Sequence, residues 1–292
     1  MTLGLGRAIT GETSFGGKMP DIGVWRLGVV LAAAIASGCT SIDDLAPTSR
    51  PALGGPVTSS IAKSNPRFGD NDPVEWKYGA PWSYAVHGTD VSKYQREIDW
   101  VAAKSSGISF AFIKATEGGD RVDDRFQQHW QNARAAGVPR GAYHFYYFCR
   151  SAREQAAWYI RNVPKERGAM PPVLDMEWNP DSPSCKLRPS AQTVRSEMKT
   201  FLEIVERHYG KKPIIYTSID FFDDNNLATF KGYQYWLRSV ADHPATRYGS
   251  HPFNFWQYTG TGIVPGIRGN ADINVFNGSK AQWKSWVAEH TR

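Results

Sequence analysis

Pro171-Pro172-Val173-Leu174-Asp175-Met176-Glu177-Trp178 carries two carboxylates one residue apart. The apolar pair after the prolines reads as a buried strand with the acids at its end. On a strand, residues i and i+2 face the same side, roughly 6–7 Å apart. Asp175 and Glu177 therefore point together into one space, with an aromatic beside them. Like charges held that close raise one partner's pKa, and this keeps a carboxylic acid protonated near neutral pH. Cleavage of a glycosidic bond needs such an acid together with a second carboxylate. The same pair in isolation is also a common solvated strand end, so the surrounding elements decide between the readings.

Outward from this strand, apolar runs alternate with helical periodicity. Strands are expected over 85–91, 109–115, 140–148, 173–177 and 213–217. Helices are expected between them over 98–105, 125–136, 151–162 and 191–209. The third of these opens on a capping box of Ser151 and Glu154. The fourth is amphipathic through Val194, Met198, Phe201, Leu202 and Val205. After residue 217 the helices thin out. Strands over 233–239, 253–258 and 271–276 follow, and a last helix spans 280–290. Eight strands, the earlier ones separated by helices, predict an α/β fold: a modified TIM-like (β/α) barrel whose later helices are missing.

In such barrels the functional groups stand at the carboxyl ends of the strands. Here those ends bring His87-Gly88-Thr89-Asp90-Val91-Ser92, Lys114-Ala115-Thr116-Glu117-Gly118, Tyr143-His144-Phe145-Tyr146, Asp175 and Glu177. The later strands add Tyr216, Trp236, Trp256-Gln257-Tyr258 and Asp272-Ile273-Asn274. Any one of these could be an ordinary polar strand end. Polar or aromatic residues from all eight strands at one rim point to a site.

The ordered set Asp90-Val91-Ser92 with Gln95, Lys114-Ala115-Thr116-Glu117-Gly118, Gly141-Ala142-Tyr143-His144-Phe145, Asp175-Met176-Glu177, Trp256-Gln257-Tyr258 and Asp272-Ile273-Asn274 resembles glycoside hydrolase family 25. These barrel lysozymes cut the bond from muramic acid to glucosamine in peptidoglycan. The resemblance runs from about Tyr84 to Phe276, and each motif alone is weak where the ordered set is specific. It departs at His87, which precedes Gly88-Thr89-Asp90 where the family more often reads Gly-Ile-Asp. The resemblance implies that Glu177 is the general acid. Asp175 would be the second catalytic carboxylate, as nucleophile, base or orienter of the substrate's 2-acetamido group. Asp90 and Asp272, on the first and last strands, would line the cleft, or hold the barrel seam and position the other two acids. Tyr143, Tyr216, Trp236 and Trp256 are candidates for sugar contact or for core packing. Gln257 is grouped with them. Lys114 is a candidate to meet substrate, or to pair with Glu117 at the rim. His144 reads as a structural histidine.

The chain has 292 residues, 41% hydrophobic and 13% aromatic, with 11 tryptophans, enough for one full-sized domain. Its net charge of +6 belongs to the part from Tyr84 onward. It contains no dense basic run, so no nucleic-acid partner is expected. A mild positive field suits an anionic polymer such as a cell wall, and is as often only a solubility feature. No C-x-x-C or H-x-x-x-H spacing occurs, so neither a metal nor a cofactor is expected.

Residues 1–39 read as an export signal. An apolar stretch from Val24 to Ala36 runs into Ala36-Ser37-Gly38-Cys39, too short for a comfortable membrane span. Small residues before a cysteine resemble a lipobox, with lipid attached to Cys39. A cleaved secretory signal with an incidental cysteine is the alternative, and Met19 is a candidate true start. Ser41 is compatible with the periplasmic side of the outer membrane in a diderm host. Residues 40–83, with six prolines among polar residues, are expected to form a disordered tether reaching about 35–40 Å. Residues 84–292 are expected to form the catalytic barrel, as a monomer. Cys149 and Cys185 follow strands at one end of the fold. Export favours a disulfide between them, and two free thiols are the alternative. The expected partners are peptidoglycan glycan strands and, through Cys39, a membrane. Rival readings are a non-catalytic wall-binding lipoprotein and a glycosidase for another N-acetylated glycan.

Overall fold

A computed structural model describes residues 65–292. The proposed signal, Cys39 and most of the expected tether lie outside the described residues. Eight strands close a barrel: β1 (His87–Val91), β2 (Ile108–Glu117), β3 (Arg140–Phe145), β4 (Val173–Met176), β5 (Ile214–Thr217), β6 (Gln234–Arg238), β7 (Phe255–Ile263) and β8 (Ala271–Phe276). β1 to β7 run parallel in sequence order. β8 closes the ring antiparallel to both β7 and β1.

Helices α1 (Trp100–Ser106), α2 (Phe126–Ala135), α3 (Ala152–Asn162) and α4 (Ala191–Tyr209) follow the first four strands. After β5 only short α5 (Ile219–Asp224) remains, after β6 only α6 (Pro244–Arg247), and no helix separates β7 from β8. The expected loss of later helices is therefore met. α4 shows why these segments are helical. Ser190 caps its start, Gly210 at φ 68 ends it, and Val194, Met198, Phe201, Leu202 and Val205 bury one face.

Strand alternation sorts the core into two layers. Leu174, Met176 and Ile215 face outward with the helices. Phe110, Phe112, Val173, Ile214, Trp236, Phe255 and Phe276 fill the lumen. Gly88 is required here, because an added Cβ would meet the Phe110 ring at 2.4 Å. α7 (Lys280–His290) plugs the end opposite the strands' carboxyl ends: Trp283 and Trp286 stack 5.4 Å apart, and both rings pack on Phe255 and Phe276. One mouth of the barrel is thus closed by aromatics, and chemistry is left to the other.

The expected tether needs correction where it meets the barrel. Residues 65–83 form a packed strap. Gly69–Asp70 pairs with Gly262 and Ile263 at the end of β7, and Thr261 Oγ1 donates to Asp70 Oδ1 at 2.6 Å. Phe68 meets the His87 ring edge-on at 5.7 Å, and Trp76 meets Trp256 at 5.2 Å. This accounts for His87, the residue that departs from the family pattern. It lies under the strap, 1% exposed, with Nε2 on the Tyr84 carbonyl at 3.0 Å. Burial lowers its pKa to about 4, so the ring is neutral.

Cys149 and Cys185 form a disulfide that ties the loop after β3 to the loop after β4. It braces the segment carrying Trp178 beside the open mouth.

Candidate active site

Inward positions on the parallel strands deliver Asp90 from β1, Lys114 from β2, Tyr143 from β3, Asp175 from β4, Tyr216 from β5, Trp236 from β6 and Gln257 from β7. Asp272 arrives differently. Because β8 is reversed, its amino end stands where the other strands have their carboxyl ends, and Asp272 pairs directly with Asp90. Glu177 follows Asp175 just beyond the end of β4.

A chain of hydrogen bonds fixes Asp90. Its Oδ1 accepts from Gln257 Nε2 at 2.9 Å and from Asn274 Nδ2 at 2.8 Å. Gln257 Oε1 in turn accepts from the Tyr216 hydroxyl at 2.9 Å, and Asn274 Oδ1 accepts from Trp236 Nε1 at 2.7 Å. Each amide both donates and accepts, so every link supports the next. Trp236 is 2% exposed, sandwiched 4.4 Å from both Phe112 and Tyr216. It is the floor of the site and has no face open to a sugar.

The carboxylates crowd one another. Burial is the largest influence on all four. It pushes Asp90 up to about 6, against the two amide donors and Arg238. It raises Asp272, with Asp90 adding and Arg238 opposing. It raises Asp175 well above the usual range, with Glu177 adding and Lys114 opposing. Glu177 is half-buried at the mouth and is pushed up to about 7. Arg238 opposes this shift, while Asp220 and Asp90 add to it. The phenols of Tyr143 and Tyr216 are also raised by burial and by these carboxylates, so both remain donors. Asp175 Oδ1 is buried and has no hydrogen-bond partner. An acceptor left unmatched in a polar site is ready for a donor from a ligand.

Lys114 Nζ meets Glu117 Oε2 at 2.7 Å and stands 4.8 Å over the Phe145 ring, so the rim ion pair is present. His144 lies outward, its ring nitrogens on Thr116 Oγ1 and Gln155 Oε1, as a structural histidine should. Trp256 requires correction. Neighbours on a strand face opposite ways, and with Gln257 inward, Trp256 must face out. It is 0% exposed, its Nε1 donating to the Ser239 carbonyl at 2.8 Å, and it cannot meet a sugar. Asn274, quoted in the rim motif without a role, holds Asp90, and two residues not singled out from the sequence belong to the site: Arg238 and Asp220. The alternation that placed Trp236 inward also places Arg238 inward, which was the available signal. Among the described residues, no group of three or more His, Cys, Asp or Glu is arranged to hold a metal ion.

A closed barrel with clustered acids at its one open mouth is the architecture of a barrel glycosidase. The profile of Glycosyl hydrolases family 25 matches residues 89–267, and the chain belongs to that family. Among its relatives, Lysozyme M1 of Streptomyces globisporus is 32% identical, the match covering 88% of this chain and 93% of that protein. A solved family 25 glycosyl hydrolase from Bacillus anthracis is 36% identical, with TM-score 0.64 over 70% of this chain and 94% of that one. The bacterial lysozyme from Streptomyces coelicolor is 33% identical, with TM-score 0.61 over 70% of this chain and 97% of that one.

Proposed function

We propose that this glycoside hydrolase is a muramidase, which hydrolyses the β-1,4 bond between N-acetylmuramic acid and N-acetylglucosamine of peptidoglycan. The observation that carries the reading is Glu177: a half-buried carboxyl at the barrel mouth, held up to about 7 by burial and set two residues after Asp175, just beyond the end of β4. Near neutral pH a large share of molecules therefore still carry this proton, which Glu177 can give to the leaving oxygen. As the bond from that oxygen to the anomeric carbon breaks, positive charge develops on the sugar. The carboxylates beneath oppose that charge. Asp175 is the second catalytic carboxylate, and its unpartnered Oδ1 favours the role of orienter. The substrate's 2-acetamido N–H is a donor of the required kind. Water then adds to the anomeric carbon, and its proton restores Glu177. In this scheme Asp90 and Asp272 position the acids, Tyr216 and Gln257 hold Asp90 from beneath, Tyr143 offers its hydroxyl, and Lys114 stands at the rim.

Residues 1–39 act as an export signal with lipid on Cys39, and residues 40–64 tether the enzyme beside the wall that it cuts. The Cys149–Cys185 disulfide supports export, because such bonds persist in oxidising compartments. The enzyme works as a monomer.

Digestion of peptidoglycan, borohydride reduction and mass spectrometry of the fragments test the activity. The new reducing ends should be N-acetylmuramic acid. Reducing ends on N-acetylglucosamine, or faster turnover of chitin, would contradict the proposal.

A further inference from the structure

A cavity of about 430 Å³ opens between the turn after β1, the start of α2 and the loop entering β8. Tyr94, Arg96 and Glu97 reach it from the turn after β1, Arg125 from the start of α2, and Arg268 from the loop entering β8. Three guanidinium groups face one carboxylate there. None of the three is in an ion pair among the described residues. The Arg125 guanidinium donates only to Gln128 Oε1, at 2.6 Å. Tyr94 is 76% exposed at the cavity edge, with Lys93 Nζ 5.7 Å from its ring centre.

The walls are braced. Lys93 N–H donates to Asp123 Oδ2 at 3.0 Å, tying the β1 turn to the segment before α2. Gln95 Nε2 donates to the Asn270 carbonyl at 3.4 Å, tying the same turn to the loop before β8. A capping box of Ser92 and Gln95 shapes the turn, which ends on Arg96 at φ 50. The arginines are thus carried on connected backbone.

We infer that this cavity binds the carboxylates of the peptide stem attached to the muramoyl residue. The identity of the ligand rests on the muramidase reading. In the acetylated glycan the sugar rings are uncharged, so the anionic groups of the substrate are on the stem. Planar guanidinium groups match carboxylates through paired donors. Arg96 follows Asp90 on the turn after β1 and Arg268 precedes Asp272 in the loop entering β8, so the cavity walls are continuous with strands that carry two of the site's acids. The Tyr94 ring offers apolar contact to the short side chains between the carboxylates.

The test is calorimetry with the full-length chain and a soluble stem tetrapeptide, alongside the same peptide with its carboxyls amidated. The free-acid peptide should bind, and amidation should weaken binding by about tenfold or more, as lost charge-assisted hydrogen bonds do. The double variant Arg96→Gln, Arg268→Gln should weaken binding of the free acid to the same degree. It should also erase the wild type's preference for stem-bearing over amidase-stripped peptidoglycan, read as the ratio of KM values. No binding, or equal binding of acid and amide, overturns the inference. The amide arm needs no substitution, so misfolding of the variant cannot imitate the result. Peptide binding by a protein that releases no muramic acid ends would sustain the cavity and overturn the muramidase reading instead.

Discussion

Asp272 stands directly opposite Asp90 across the barrel's antiparallel seam. Like charges in facing positions destabilise a strand pair, and here both carboxyls are raised, chiefly by burial, with the field of Asp90 adding to the shift of Asp272. A carboxyl whose folded pKa lies above its unfolded value holds its proton more tightly when folded. Stability is then fully present below the unfolded value of about 4. It falls as pH rises through the folded value, about 6 for Asp90. Asp272→Asn removes one charge of the pair. The variant should gain on the order of 1–2 kcal/mol at pH 8 and almost nothing at pH 4. Thermal melts of both proteins across that range check this, and a gain independent of pH would refute it.

Arg238 opposes the upward shift of Glu177, Asp90 and Asp272 together. Its removal takes away a cation that favours the ionised form, so Glu177 should hold its proton to higher pH. Arg238→Gln should move the basic limb of the kcat/KM profile upward by about one pH unit. Rates on soluble peptidoglycan fragments between pH 5 and 9 measure the limb. An unmoved or lowered limb would remove Arg238 from the account.

The strap extends the folded body ahead of the family match at 89–267. Phe68→Ala opens the cover over His87, so burial no longer holds that ring neutral. Its pKa should climb from about 4 toward the ordinary histidine value. Truncation of Phe68 should cost about 1–3 kcal/mol, less than for a full core aromatic. An NMR titration of the His87 ring with a parallel urea melt reads both quantities. A chain starting at Tyr84 should lose more, because Trp76 goes too.

The disulfide spans 36 residues of sequence. Closing a loop of that length restricts the unfolded chain, and Cys149→Ser with Cys185→Ser should cost about 3–4 kcal/mol. Denaturant melts of the oxidised protein and the double variant measure the difference.

The first half of the barrel was legible because each element there carries its own signal. Ser151 with Glu154 marks a helix start, Gly210 a helix end, and five spaced apolar residues the buried face of α4. The reversal of β8 was hidden by the length of β7. A strand read as ending at residue 258 leaves a gap to 271 that says nothing about the direction of the next strand. β7 in fact continues to Ile263 and leaves only a short connection, which permits an antiparallel return. For Trp256 the sequence offers both sugar contact and core packing, and inward-facing Gln257 beside it decides for the core. Arg238 at a strand end looks in sequence like any solvated arginine, and its three acidic neighbours come from β1, β8 and the turn after β4. The strap gave no period to read: it has one two-residue strand and aromatics that dock singly.

The proposed mechanism requires Glu177 to deliver the proton that breaks the glycosidic bond. Its most direct test is the kcat for reducing-end release from peptidoglycan by Glu177→Gln, with wild-type protein alongside at pH 6. The glutamine keeps the shape and hydrogen-bonding capacity of the acid but has no proton to give, so kcat should fall about 10²–10⁴-fold. A variant that keeps kcat within a few-fold of wild type would contradict the account.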